Sequence, residues 1–246
     1  MILIISDEND HSTNEVIKWL LYLEEPFIRL GQNKFINSIQ LKIIEKETIP
    51  ISYILEIFNQ DLENLQSLEL IIPYKDEKKE EYIELYTNIN FLNQIYVHSS
   101  PEDNIVELDN NPLYSIVYIN DLILDSSHCG NINPGYFNSN ITLFSENNNF
   151  NSCLNKKIGI DFQGNIKNCP TMNYSFGNIQ DVSIKNYITD QKFQALWKIK
   201  KDDIQTCKDC EFRYICTDCR AFHTDEDLLL KPKKCSYNPY SCEWEY

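Results

Sequence analysis

Cysteine is the residue that most restricts what this chain can become. Cys207-Lys208-Asp209-Cys210 is followed after five residues by Cys216-Thr217-Asp218-Cys219, with Cys235 beyond and Cys153 and Cys169 before. A Cys-x-x-Cys pair puts two thiolates on one turn, where both reach the same metal centre. A structural zinc ion takes two such pairs about 15–20 residues apart. Here only five residues intervene, so the pairs do not all serve one ion, and ligands are shared between two centres. A cubane iron–sulfur cluster takes four thiolates and accepts interleaved spacing. Two clusters need eight ligands, and the chain has nine cysteines. Two structural zinc ions are the competing reading. A disulfide framework fits poorly with an odd count.

The remaining totals narrow the setting. A chain of 246 residues with 42% hydrophobic content supports a buried core of one large or two small domains. Its 22 basic against 37 acidic residues give a net charge of −15, and no basic stretch is dense enough to neutralise a run of phosphates, so nucleic acid is not an expected partner. No apolar stretch approaches membrane-spanning length, so no membrane association is expected. Met1-Ile2-Leu3-Ile4-Ile5-Ser6-Asp7-Glu8 has no basic leader, which places the expected location in the cytoplasm, where thiols stay reduced.

Along the chain, residues 1–30 read as strand, helix, strand. Ile2 to Ile5 is apolar, Ser12-x-x-Glu15 is a capping box, Val16, Trp19, Leu20 and Leu23 share a helical face, and Phe27 to Leu30 resumes a strand. Strands are expected at Ile39–Ile44, Leu68–Ile72, Ile95–His98 and Ser115–Ile119, with helices at Ile51–Phe58 and Asp76–Thr87. Strands alternating with helices favour a parallel sheet. Four such strands are too few for an eight-stranded barrel, so the expected fold class is α/β, a partial or open parallel barrel-like layer. From about Asp125 the texture changes, and the asparagines between Asn131 and Asn151 favour turns over long helices. Ile158, Ile160 and Phe162 alternate up to Gln163-Gly164, and Asn165-Ile166-Lys167 leads back to Cys169, a hairpin signal. Residues 183–198 carry Ile184, Tyr187, Ile188, Phe193, Leu196 and Trp197 for short helices on a small core.

Taken together, Cys153, ten residues, Gly164, four residues, Cys169, then the Cys207–Cys219 run and Cys235 resemble the SPASM domain. That domain is the auxiliary-cluster extension of radical SAM enzymes that modify ribosomal peptides. The wording of His128-Cys129-Gly130-Asn131-Ile132, Lys167-Asn168-Cys169-Pro170, Ser175-Phe176-Gly177-Asn178-Ile179 and Cys207–Arg220 is similar to the SPASM-domain maturase of grasp-with-spasm systems. The resemblance runs from about residue 34 to the end. It implies that Cys207, Cys210, Cys216 and Cys235 hold one 4Fe-4S cluster and that Cys153, Cys169 and Cys219 hold another. Cys129 or an open position completes the second set. The family run has three residues before its last cysteine, whereas two separate Cys216 from Cys219. Residues 1–33, with Asn9-Asp10-His11-Ser12-Thr13-Asn14-Glu15, look instead like the opening of the partner ATP-grasp ligase. The implied divisions are 1–33 as an ATP-grasp-like fragment, 34–124 as a partial α/β domain and 125–246 as the SPASM domain.

One motif is missing. The Cys-x-x-x-Cys-x-x-Cys triad that holds a SAM-cleaving cluster occurs nowhere, and no cysteine precedes Cys129. No SAM is expected on this chain alone, and no glycine-rich phosphate loop follows the ligase-like start. The expected function is therefore accessory: maturation of a ribosomally made precursor peptide, through recognition of that precursor or of the ATP-grasp ligase. A redox-active enzyme drawing on a partner's SAM cluster and a zinc-stabilised interaction module are the alternatives. Among other residues, His128 reads equally as a ligand or a turn histidine. His11, His98, His223 and Cys242 have no assigned role. Lys231, Lys233 and Lys234, with Arg213 and Arg220, either offset thiolate charge, meet an acidic peptide, or form a solvated loop. No nucleophile with its base is apparent, so no catalytic residue is named.

Overall fold

The structure is a computed structural model and describes residues 2–5, 27–30, 38–42, 51–58, 65–76, 79–108, 111–123, 128–161, 163–222 and 227–245. The helix expected over Val16–Leu23, the Ser12 capping box, His11, Phe162 and His223 lie outside these residues. The chain divides into two compact units, Met1–Asp125 and Ser126–Tyr246.

In the first unit, β1 (Ile2–Ile5) and β2 (Phe27–Leu30) pair in parallel, Ile2 beside Phe27. A separate five-stranded sheet contains β3 (Ser38–Lys42), β4 (Ser67–Pro73), β5 (Leu92–His98), β6 (Asn104–Leu108) and β7 (Asn111–Ile119). Its strand order is β3-β4-β5-β7-β6. The first four run parallel, and β6 is an antiparallel edge. The crossovers carry α1 (Ile51–Phe58) and α2 (Lys79–Asn88).

Side-chain periodicity explains the layer. On β4, Leu68, Leu70 and Ile72 alternate as buried residues with half-buried Glu69 and Ile71, the period of a strand with one face on the core. The register aligns Leu70 with Ile95 and Ile95 with Ile116, so three fully buried side chains form one row across β4, β5 and β7. Tyr82, Leu85 and Ile89 recur at helical spacing and are buried, as are Ile54 and Phe58 on α1. Phe58 meets Phe91 edge-on, with centroids 6.2 Å apart.

The expected helix over Asp76–Thr87 is described as α2, Lys79–Asn88, with residues 77 and 78 outside the described residues. Strand β6 is not among the expected strands: Val106 and Leu108 are only half-buried, between exposed Ile105 and Glu107, and two apolar positions are too few to set a pattern.

The second unit is built from short pieces. The asparagine-rich segment, expected to favour turns, contains α3 (Ile141–Asn149). Asn140 caps it, accepting the Leu143 N–H at 2.8 Å, and Asn147 donates to the Tyr214 carbonyl at 2.9 Å. The expected hairpin is β8 (Gly159–Ile160) against β9 (Ile166–Lys167), antiparallel. Residues 183–198 divide into α4 (Lys185–Ile188), α5 (Gln191–Gln194) and a 3-10 turn, Ala195–Lys198. Phe193 is fully buried and packs against Phe176 at 4.7 Å and Trp197 at 5.8 Å. A last small hairpin pairs β10 (Tyr237–Asn238) with β11 (Glu243–Trp244). The unit is thus a cysteine-rich region of hairpins and short helices around a modest core.

Candidate metal centre

All nine cysteines carry free thiols, and electrostatic influence links Cys153 with Cys129, Cys169 and Cys219, and Cys235 with Cys207, Cys210 and Cys216. Cys207, Cys216 and Cys219 are buried, Cys153, Cys169, Cys210 and Cys235 are half-buried, and Cys129 and Cys242 are exposed.

The first neighbourhood is assembled by tight backbone approaches. Asp161 organises the β8–β9 turn: its Oδ1 accepts the N–H groups of Gln163 and Asn165, both at 3.0 Å, and its Oδ2 meets Lys167 Nζ at 2.7 Å. Gly164 takes a left-handed conformation in that turn, with φ +82°. The strand then leads into Cys169-Pro170, which passes against Gly159 so closely that a Cβ there would lie 2.6 Å from Pro170 Cδ. Cys153 sits on the turn after Asn151, whose Oδ1 accepts the N–H groups of Cys153 and Leu154 at 3.1 and 2.9 Å. Gly130, left-handed at φ +84°, brings the Cys129 loop onto Cys219: a Cβ at Gly130 would lie 2.7 Å from Cys219 Sγ. Lys234 Nζ donates to the Cys129 carbonyl at 2.7 Å.

Electrostatics links the same four residues. Burial pushes the Cys153 thiol up to about 12, Lys157 opposes this, and the sulfurs of Cys169, Cys129 and Cys219 push it further. Burial also raises Cys219, while the N–H groups of Ala221 and Phe222 act on its sulfur in the opposite direction. Such N–H groups directed at sulfur stabilise a thiolate ligand.

The second neighbourhood is Cys207, Cys210, Cys216 and Cys235. A 3-10 turn, Cys207–Asp209, places Cys210 N–H on the Cys207 carbonyl at 3.1 Å, and Cys216 N–H donates to Phe212 at 2.9 Å. Cys216 is raised by burial to about 12, with Lys201 opposing and Asp218, Cys235 and Cys207 adding. Burial raises Cys207 and Cys210 as well, and Cys235 adds to both. The N–H of Phe212 favours the Cys210 thiolate. Two residues beyond Cys210 and Cys235, Phe212 and Tyr237 have ring centroids 5.0 Å apart, and Tyr237 and Trp244 stand 4.9 Å apart. Tyr237 donates a short hydrogen bond to Glu211.

Both sets consist of thiols alone, the soft donors preferred by iron–sulfur clusters and zinc. Among the described residues, no three Cys, His, Asp or Glu side chains converge on the position of one metal ion. Tetrahedral zinc requires sulfurs roughly 3.8 Å apart, from its ~2.3 Å bonds. A cubane spreads its four ligands over the corners of a larger body, so its ligand sulfurs stand farther apart. The donor chemistry of both sets fits iron–sulfur clusters as well as zinc.

His128 is exposed beside Cys129, and Cys242 belongs to neither group of four. Of the basic residues, Lys231 Nζ donates to the Tyr237 carbonyl at 2.6 Å and Arg213 pairs with Asp202 at 3.2 Å. Arg220 does not belong to a solvated loop: it is 1% exposed and salt-bridged to Asp218 at 2.6 Å. Lys201, Asp218, Asn151 and Gly159 were not singled out from the sequence, where they look like ordinary surface or loop residues.

Residues 152–211 match the family model of SPASM, an iron–sulfur cluster-binding domain. The matched span includes Cys153, Cys169, Cys207 and Cys210. No curated protein and no protein of solved structure matches the chain. Among the described residues no helix is long and apolar enough to cross a membrane.

Proposed function

We propose that this protein is an iron–sulfur accessory factor in the maturation of a ribosomally synthesised peptide. It carries two 4Fe-4S clusters and recognises the precursor peptide or the ATP-grasp ligase that acts on it. The observation that carries the reading is the gathering of eight thiols into two groups of four, within a unit whose residues 152–211 match the SPASM model. Cys207, Cys210, Cys216 and Cys235 would hold one cluster, and Cys129, Cys153, Cys169 and Cys219 the other.

Bound clusters would cross-link a unit with a modest core and supply one-electron redox chemistry. The chain's own residues orient and cover the thiols, and backbone N–H groups directed at Cys210 and Cys219 favour their thiolates. The consecutive parallel order β3-β4-β5-β7 supports descent of the first unit from the barrel of a radical SAM enzyme, reduced here to a layer without its SAM-binding triad. The resemblance of the first 33 residues to an ATP-grasp ligase supports a link with that partner.

Protein purified and reconstituted without oxygen should contain about eight iron atoms and eight acid-labile sulfides, the content of two cubanes. Stoichiometric zinc without sulfide would overturn the cluster assignment. Loaded protein that binds neither a precursor peptide nor the ligase in calorimetry would overturn the maturation role. SAM cleavage in the presence of a partner would favour a redox-active enzyme instead.

A further inference from the structure

Asp218 lies between Cys216 and Cys219, one thiol from each group, and its side chain is 1% exposed. Two cations share its carboxylate. Lys201 Nζ is 2.7 Å from Oδ1. Arg220 approaches with Nε 2.6 Å from Oδ2 and Nη2 2.8 Å from Oδ1. Asn151 adds a hydrogen bond to Oδ2 at 2.6 Å, and the Asp218 N–H donates to Ser152 Oγ at 2.7 Å. The side chains of Lys201 and Arg220 are 4% and 0% exposed.

An ammonium held in the interior is costly unless anions or acceptors adjoin it. Arg220 directs Nη1 away, to the carbonyls of Leu228 and Leu230 at 2.7 and 3.0 Å. Lys201 directs Nζ toward sulfur, 3.9 Å from Cys207 Sγ. Beside Asp218, the group that the Lys201 ammonium meets is thus a thiol of the Cys207 group.

We infer that Lys201 is a positioning residue for the cluster of the Cys207 group: its buried ammonium compensates the charge of that cluster and raises its reduction potential. The inference rests on the cluster assignment proposed above. Each one-electron reduction adds a negative charge to a cluster, and its potential follows net charge and hydrogen bonds to sulfur. A buried cation at this distance acts with little screening by solvent or salt. Asp218 keeps the ammonium in place, and Arg220 in turn holds Asp218 through both carboxylate oxygens.

The test is an EPR-monitored redox titration of loaded wild type, Lys201→Met and Lys201→Arg, with Cys153→Ser used to assign each signal to its cysteine group. Iron and sulfide are measured first. Wild type lacking both overturns the cluster assignment and this inference together, whereas failure with clusters present overturns this inference alone. The Met variant, which leaves Asp218 paired with Arg220, is expected to titrate at lower potential in the Cys207 group, or to lose that cluster where the Arg variant keeps it. An unchanged or higher potential in the Met variant overturns the inference. So does an equal shift or an equal loss of iron in both variants, because shape rather than charge would then be what matters.

Discussion

Between Gly159 and the Cys169–Pro170 peptide there is no room for a side chain, since a Cβ would sit 2.8 Å from Pro170 N and 3.0 Å from the Cys169 carbonyl carbon. Backbone cannot yield there as a flexible side chain would. Gly159→Ala should therefore cost about 1–3 kcal/mol, the usual penalty of overpacking, and displace Cys169. Iron analysis should register a loss from the Cys153 group while the Cys207 group keeps its cluster; undiminished iron would refute the proposed strain on Cys169. Asp161 acts in the same turn through charge. Burial tends to raise its carboxyl, but Lys167 and Asn165 outweigh burial and hold it below the usual carboxylate range. A lowered folded-state value stabilises the fold above the unfolded value of about 3.9 and is lost as pH falls through the folded one. Asp161→Asn should lower stability by about 1.5–3 kcal/mol at pH 7, the range for hydrogen bonds to a charged group. The gap between variant and wild type in urea midpoints should close below about pH 4. A gap that persists there would mean that shape, not charge, sets the turn.

At the level of elements, what the sequence reveals depends on whether a pattern is local. Helix α1 is legible because Ile54 and Phe58 repeat at helical spacing, and the β8–β9 hairpin because Gln163-Gly164 follows an alternating run. The cysteine spacing points to two interleaved centres for the same reason. Strand β6 is not legible, since only Val106 and Leu108 are half-buried on it, too short a run to mark alternation in the sequence. Helix α3 is hidden by asparagines whose bonds are long-range, as Asn147 shows with Tyr214. Lys201 reads as a surface charge because its partner Asp218 lies 17 residues away. The sheet also offers a control for the site. Ile95, fully buried in the middle of β5, belongs to the first unit, whereas all nine thiols belong to the second. Ile95→Ala should cost about 2–5 kcal/mol by leaving a cavity, read as a lower urea midpoint of the sheet. The iron content per folded chain should stay unchanged, and a parallel loss of iron would mean that the two units fold as one.

For the molecule as a whole, burial works against its own thiolates. It pushes Cys153 and Cys216 up to about 12 and raises Cys207, Cys210 and Cys219. Without metal these five stay protonated at pH 7, and each pH unit below the thiol's own value lowers the thiolate fraction about tenfold. Because the folded values lie above the unfolded value of about 8.5, the metal-free fold keeps this contribution at neutral pH and loses it as pH rises beyond that. Metal loading has the opposite sign: ligands must shed protons, so reconstitution should accelerate between pH 7 and 9. The thiolate is also the species that iodoacetamide attacks. In metal-free protein at pH 7, the exposed Cys129 and Cys242 should be modified first, and the raised, buried thiols last. After loading, Cys242 should still react while Cys129 becomes protected, because a sulfur bound to iron is no longer a free nucleophile. Peptide mass spectrometry of both states reads this directly. Equal modification of Cys129 before and after loading would remove it from the ligand set and leave the Cys153 group with an open position, the geometry that a substrate or partner donor would then complete.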